Sequence, residues 1–93
     1  MSSTLHSPEY QVFRAILVQA RKTSGLTQVQ IAKALGKPQS YISKYENGER
    51  RLDFPEFIKI ADVLGINVVS FLEEFRAAVP QSTPRVRRKK GVS

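Results

Sequence analysis

Residues 27–46 read TQVQIAKALGKPQSYISKYE, and their pattern of polar, apolar and turn-forming residues is the most informative in the chain. It predicts two short helices separated by a tight turn. Thr27 and Gln30 have the spacing of a capping box, in which each side chain bonds the backbone amide of the other, so the first of these helices is expected to begin near Gln28. Gly36 can adopt the positive φ that ends a helix abruptly, which predicts the turn at that residue.

The apolar residues of this stretch fall on one face of each predicted helix. Ile31 and Leu35 lie one turn apart, and Ala32 beside them is small enough to let another helix approach. Ile42 and Tyr45 give the second helix a buried stripe. The other face of that helix is polar and contains Gln39, Ser40, Ser43 and Lys44. Such a helix is expected to lie on the surface, with its polar tips available to a ligand.

Start and stop signals on either side of this stretch predict three more helices. They extend from Ser7 to about Thr23, from Asp53 to Gly65 and from Asn67 to Val79. Each begins at a residue type that caps helices, and Pro80 is expected to stop the last one. The predicted apolar stripes contain Tyr10, Phe13, Ile16, Leu17 and Ala20 in the first helix, Phe54, Phe57, Ile58, Ala61 and Leu64 in the fourth, and Val68, Phe71, Leu72, Phe75 and Val79 in the fifth. Without a competing strand pattern, the sequence predicts an all-α fold of five helices.

The chain length of 93 residues suits one small helical domain, which we place at residues 7–79. Residues 1–6 have no periodicity and are expected to form a flexible lead-in. Residues 80–93 are rich in Ser, Thr, Pro and basic side chains, the composition of a disordered tail. Of the net charge of +7, residues 85–90 contribute five positive charges. Because the folded part is only mildly basic, the charge supports nucleic-acid binding less strongly than the helix pair does.

The helix pair resembles the Cro-type, or XRE, helix-turn-helix family, which includes the phage repressors. The resemblance extends from about Glu9 to Glu74 and rests mainly on Ala32, Gly36 and Ile42, which match the family's small, turn-glycine and β-branched positions. It continues through the segment YISKYENGER at residues 41–50. It implies a compact lambda-repressor-like fold, with helices two and three as the helix-turn-helix, and binding to double-stranded DNA.

Two residues depart from the family pattern at the start of the third helix. Lys37 stands where an apolar residue is common, and Pro38 replaces the usual Ser or Thr cap. Since the φ of proline is preset to a helical value, we expect Pro38 at the first helical position.

A helix fits the major groove of DNA, where each base pair presents a distinct pattern of donors and acceptors. The resemblance places the third helix there. The Gln39 amide can donate a hydrogen bond to adenine and accept one from it at the same time. The Ser40 hydroxyl can act as a donor or as an acceptor, and the Lys44 ammonium can donate to guanine or to a phosphate. We therefore predict that these three residues read bases. For Tyr41 and Ser43, both a contact with the DNA backbone and ordinary surface exposure stay open.

Phosphate contacts are predicted on both sides of the third helix. Gln28 lies at the amino end of helix two, where free amides and the helix dipole favour an anion, and the family uses this glutamine to hold a phosphate. The resemblance implies a second contact with the DNA backbone in the loop after the third helix. The predicted phosphate-contacting residues are Gln28, Tyr41, Ser43, Asn47, Arg50 and Arg51.

The resemblance also implies an internal ion pair and a dimer. Arg21 and Glu46 occupy positions that pair in phage repressors of this family; a buried pair would cost about 3–5 kcal/mol to break, and an exposed one contributes about 0–1 kcal/mol. Because one recognition helix makes few contacts, proteins of this type usually bind palindromic operators as homodimers. Most of the apolar stripe of the fifth helix is needed for the core of the monomer. The predicted dimer interface consists of Val69, Phe75 and Val79.

An enzyme is not predicted, since no set of nucleophile, base and orienting acid is visible and the single histidine, His6, lies in the lead-in. The absence of cysteine excludes disulfides and thiolate metal sites, and no cofactor is expected. The sequence shows no membrane span and no secretory signal, which predicts a cytoplasmic protein.

The predicted function is a sequence-specific transcription regulator, with repression favoured because a bare recognition domain on a promoter blocks polymerase. Two alternative functions also include DNA binding. One is an antitoxin, which binds and neutralises a toxin, and the other is a controller of a restriction system. They differ in what the protein acts with besides DNA. The basic tail has three open interpretations, namely a DNA-contacting arm, a solubilising end and a membrane-surface contact.

Overall fold

The computed structural model describes residues 7–79, which form five α-helices and contain no strand. These are α1 (Pro8–Ser24), α2 (Gln28–Leu35), α3 (Gln39–Glu46), α4 (Phe54–Leu64) and α5 (Val68–Ala78). The predicted all-α fold of five helices is confirmed. The predicted lead-in at residues 1–6 and the predicted tail at residues 80–93 lie outside the described residues. Within residues 7–79, none of the helices is long and apolar enough to span a membrane.

Most helix starts follow from the side chains that cap them. Ser7 caps α1 and Asn67 caps α5, each accepting a hydrogen bond from the amide three residues further on. At α2 both bonds of the predicted capping box of Thr27 and Gln30 form, and Asp53 and Glu56 form a second capping box at the start of α4. Since a cap satisfies amides that a helix leaves unpaired, these short-range patterns determine four helix starts.

The start of α3 differs from the prediction. Pro38 has φ −72° and ψ 156°, so it is the extended residue that precedes the helix and not its first helical residue. The φ of proline suits both conformations, and only ψ distinguishes them. No side chain among residues 7–79 caps α3 at this end, and the Tyr41 amide donates to the Pro38 carbonyl at 3.0 Å.

The core lies between α1, α2, α3 and α4, and an aromatic cluster attaches α5 to it. The largest fully buried side chains are Leu17, Ile31, Ile42, Tyr45 and Ile60. Ring centroids of Phe57 and Phe71 lie 4.8 Å apart, and Phe13 lies 5.4 Å from Phe57. α3 therefore rests on α1 and α2, while α5 is held mainly by α1 and by aromatic contacts with α4.

Two predicted core residues are exposed, and two core residues, Leu52 and Ile60, were missed. Phe54 is 68% exposed and Leu72 is 51% exposed, whereas Ile60 is fully buried. The inward face of α4 is centred on Phe57, Ile60 and Ala61, so Phe54, the first residue of the helix, lies beyond the edge of the core. Periodicity gives the width of an apolar face, but the packing of neighbouring helices decides its centre.

Candidate nucleic-acid interface

The turn between α2 and α3 sets the direction of α3. Gly36 adopts φ 69° and ψ 32°, a left-handed conformation that strains residues with a side chain. The amides of Gly36 and Lys37 then donate to carbonyls in the last turn of α2, at 3.2 and 2.9 Å. Ile42 and Tyr45 fill the core from the facing side of α3. With that face buried, the opposite face of α3 is left on the surface.

The predicted DNA-contacting residues gather on and beside this free face of α3. Gln39, Ser40 and Lys44 are exposed, and so are Asn47 and Arg51 in the loop after the helix. The half-buried members of the predicted set are Gln28, Tyr41, Ser43 and Arg50. One surface therefore carries both the base-reading and the phosphate-contacting residues predicted from the sequence.

A chain of polar contacts joins α1 to Gln39, one of the predicted base-reading residues. Arg21 donates to both carboxylate oxygens of Glu46, with Nε 2.7 Å from Oε2 and Nη2 3.0 Å from Oε1. Gln28 Nε2 donates to Glu46 Oε1 at 2.8 Å. Gln39 Nε2 in turn donates to Gln28 Oε1 at 3.1 Å. The position of the Gln39 amide is thus tied to the core of the domain through three other side chains.

Glu46 and Arg21 form a buried pair, at the positions that the resemblance indicated. The side chain of Glu46 is 6% exposed and that of Arg21 is 14% exposed. The hydrogen bond to Glu46 raises the pKa of Arg21, which keeps the guanidinium charged. Arg21 also donates to the Leu26 carbonyl at 3.0 Å. Because partners surround both charges, their loss of hydration is compensated inside the protein.

Gln39 keeps the groups that base recognition needs. A side-chain amide has two N–H donors and one carbonyl acceptor. The contact with Gln28 uses one N–H, so the second N–H and Oε1 remain available on the exposed side. These are the donor and the acceptor that match the N7 and N6 groups of adenine.

Arg50 is held inside the loop that follows α3. Its guanidinium donates to both carboxylate oxygens of Glu56, at 3.2 and 2.8 Å, and lies 4.6 Å from the centre of the Tyr41 ring. A phosphate bound by Arg50 would have to compete with Glu56. The geometry thus shows Arg50 tying the loop to α4, while the phosphate contacts of Arg50 and of the exposed Arg51 remain predictions.

Glu56 serves the ion pair and the cap of α4 at the same time. The hydrogen bond from Arg50 lowers its pKa to about 2, and the bond from the Asp53 amide acts in the same direction. The pair is partly exposed, with 38% of the Arg50 side chain and 25% of the Glu56 side chain accessible to solvent. The contact therefore ties the loop to α4 with a modest, pH-dependent stabilisation.

Arg14, which does not belong to the predicted apolar stripe of α1, is a functional candidate that sequence reasoning missed. It donates through Nη1 to the main-chain carbonyl of Glu46 and through Nη2 to Gln11 Oε1 at 2.6 Å. Arg14 precedes Arg21 by seven residues, which is about two helical turns and places both on one face of α1. That spacing was the available signal.

Comparison with known proteins agrees with this geometry. A helix-turn-helix family model matches residues 17–71. The chain belongs to the XRE helix-turn-helix family. A solved structure of an XRE-family-like protein from Pseudomonas syringae pathovar tomato is 40% identical, with a TM-score of 0.75 over 83% of this chain and 94% of that protein. Domains of this family are typically DNA-binding regulators and not enzymes.

A second relative shows where part of the fold occurs in a longer protein. Cyanate hydratase from Laccaria bicolor is 35% identical over 65 residues, which are 70% of this chain and 39% of that protein. The chain thus spans about two fifths of the length of this curated relative. The similarity concerns a part of the enzyme and carries no activity to the helix-turn-helix domain.

The buried pair should dominate the stability of this helix-turn-helix domain. Glu46→Ala leaves Arg21 charged and buried, so we expect the free energy of unfolding to fall by about 3–5 kcal/mol in urea titrations. Glu49→Ala, at an exposed position in the next turn, should change it by less than about 0.5 kcal/mol. Adding Arg21→Ala to Glu46→Ala should cost less than Arg21→Ala alone, and additive losses would contradict a coupled pair.

The ion pair between Arg50 and Glu56 should contribute only above acidic pH. Because the pKa of Glu56 is lowered to about 2 in the fold, its stabilisation is fully present above the usual pKa near 4.5 and is lost as pH falls towards 2. Glu56→Gln keeps an oxygen for the cap but removes the charge. We expect this variant to be less stable than the wild type at pH 7, by up to about 1 kcal/mol, and equally stable near pH 2.

The comparison uses urea unfolding at several pH values between 2 and 7. Glu49→Gln is the charge-matched control, because Glu49 is exposed in the same loop. A difference between wild type and Glu56→Gln that stays constant over this range would show that the charge of Glu56 does not act through Arg50.

Proposed function

We propose that this chain is a sequence-specific, double-stranded-DNA-binding transcription regulator that reads the major groove with α3 and represses by occupying a promoter. The supporting observation is the polar face of α3, where the exposed Gln39 is held by Gln28 and is thereby linked to the buried Glu46. A solvated helix face needs no such support. Orientation of a polar tip before binding is what direct base recognition requires, because it reduces the entropy lost on binding.

The proposed base contacts follow from the chemistry of the exposed tips. Gln39 presents a donor and an acceptor to adenine, and Ser40 beside it offers a hydroxyl to either kind of group. Lys44 lies one turn after Ser40 on the same face and suits guanine or a phosphate. These three residues are proposed to determine sequence preference.

The proposed phosphate contacts flank the base-reading residues on both sides. Gln28, at the amino end of α2, retains one N–H after bonding Glu46 and lies beside free helix amides. On the other side Asn47 and Arg51 are exposed. The half-buried Tyr41 and Ser43 can reach a phosphate only at the edge of this surface. Contacts of this kind fix the register of the protein on DNA without carrying sequence information.

A homodimer on a palindromic operator completes the proposal. A groove of about 500 Å³ lies between α1, α4 and α5, and Phe54, Leu72 and Phe75 are among its apolar lining residues. Arg51, in the loop after α3, also lines it, so a second copy bound here would lie beside the DNA-contacting loop. We extend the predicted interface of Val69, Phe75 and Val79 to include Phe54 and Leu72, because exposed apolar clusters mark protein contacts.

The alternative functions add a protein partner to the same DNA-binding surface. An antitoxin or a restriction controller would use α3 in the way described above, and would differ in the genes next to its own. A neighbouring toxin gene would favour the first and a neighbouring methyltransferase gene the second. No observation on residues 7–79 favours either over a plain repressor.

Base recognition by Gln39 can be tested with an operator obtained by selection from random duplex DNA. Gln39→Ala should weaken binding to that operator by about 1–3 kcal/mol, with relaxed preference at one base position in each half-site. Gln19→Ala, at an exposed position on α1, should leave affinity and preference unchanged. Failure to select any common sequence would sink the proposed function, whereas an unchanged Gln39→Ala variant would remove only this residue from it.

Dimerisation can be tested separately by analytical ultracentrifugation in the absence of DNA. Leu72→Glu places a charge on the proposed interface and should shift the protein from dimer to monomer, since the partner would have to bury that charge. Val29→Glu, on α2, alters an apolar residue of similar exposure (54% against 51%) and should leave the dimer intact. A Leu72→Glu variant as dimeric as the wild type would place the interface elsewhere.

A further inference from the structure

The backbone carbonyls at the carboxyl end of α3 receive hydrogen bonds from two sources, the turn that follows the helix and an arginine of α1. A helix leaves its last four carbonyls without partners inside the helix. Here the turn supplies donors for three of them. The Asn47 amide bonds the Ser43 carbonyl at 2.9 Å, the Glu49 amide bonds that of Lys44 at 2.7 Å, and the Gly48 amide bonds that of Tyr45 at 3.3 Å. The fourth carbonyl, that of Glu46, accepts from Arg14 on α1.

Arg14 lies directly beneath the turn that follows α3. A Cβ placed on Gly48 would meet Arg14 Nε at 3.5 Å, so the glycine backbone packs on the guanidinium. Nη2 is held by Gln11, and Nε is buried without a hydrogen-bond partner. Each of the three guanidinium nitrogens is therefore either bonded to the protein or buried, which gives Arg14 a supporting position under the turn.

We propose that Arg14 is a positioning residue for DNA recognition, which fixes the end of α3 and the turn at residues 47–49 relative to α1. The proposal rests on the DNA-binding function proposed above. It goes beyond that function because it assigns control of the recognition surface to a residue that does not touch DNA.

Two arginines of α1 hold the same residue of α3 at different points. Arg21 binds the carboxylate of Glu46, and Arg14 binds its main-chain carbonyl. One contact alone would allow the helix end to pivot about the bond, whereas two contacts at separate atoms also fix its orientation. A cation at this end is in addition favoured by the helix dipole. Lys44 and Asn47 lie close to this anchor, so their positions depend on it most directly.

Arg14→Gln tests the proposal, because glutamine is too short to reach the Glu46 carbonyl and removes one charge. We expect the ratio of affinities for operator and for random DNA to fall about five- to tenfold, the size of one lost hydrogen bond of ordinary strength. Amide hydrogen exchange should become faster at Gly48 and Glu49, while the interior of α1 and α4 remains protected. Circular dichroism at the binding temperature establishes that each variant is folded.

Two further variants separate positioning from charge and from stability. Lys22→Gln removes the same charge from an exposed site on α1 and should lower both affinities slightly without changing their ratio. Arg14→Lys retains a donor for the Glu46 carbonyl but lacks the planar fork whose second nitrogen bonds Gln11, so its affinity ratio should lie between those of the wild type and Arg14→Gln. If Arg14→Gln does not fold, the affinity ratio and the turn exchange of Arg14→Lys are compared with those of Lys22→Gln instead.

The outcomes distinguish this proposal from the function on which it rests. An affinity ratio and turn exchange equal to those of Lys22→Gln would overturn the role of Arg14. A wild-type protein without any sequence preference would overturn the proposed function instead, and the amide exchange of the turn would still show whether Arg14 anchors it.

Discussion

The helix-turn-helix surface depends on one buried carboxylate. Glu46 is the last residue of α3, and its side chain is 6% exposed. Its two oxygens receive hydrogen bonds from Arg21 on α1 and Gln28 on α2. A buried carboxylate is unfavourable unless it has such partners, and this packing of the three helices supplies them. The same arrangement exposes the polar face of α3, which connects the stability of the core to the shape of the recognition surface.

The local features of this fold were open to prediction because their causes are local. Capping boxes at Thr27 and Asp53 act over three residues, and the left-handed conformation of Gly36 depends mainly on its lack of a side chain. Helix order and most helix bounds therefore follow from the sequence. The start of α3 does not, because Pro38 has a φ that suits both a helical and an extended residue.

The other features that sequence reasoning missed depend on how the helices and loops pack against one another. Ile60 is buried and Phe54 exposed because of where α1 and α2 pack against α4, which helical periodicity does not contain. The sequence position of Arg50, in the loop after α3, favours a phosphate contact. Its contacts with Glu56 and Tyr41 are visible only in the folded structure. The pair of Arg21 and Glu46 was accessible through the family resemblance, whereas Arg14 was indicated only by its seven-residue spacing from Arg21.

Charge alone gives the described part of the chain little attraction for DNA. Residues 7–79 contain ten basic and eight acidic side chains, a formal excess of two, and Arg21 and Arg50 are each neutralised by a glutamate. Counterion release from such a surface is small, so affinity has to come from well-oriented contacts, from a second copy of the domain or from the basic residues at 85–90. Oriented contacts are sensitive to small rotations of α3, and the anchoring of Glu46 at both its carboxylate and its carbonyl restrains those rotations. A domain with few free charges therefore needs a rigid recognition helix more than a strongly basic one does.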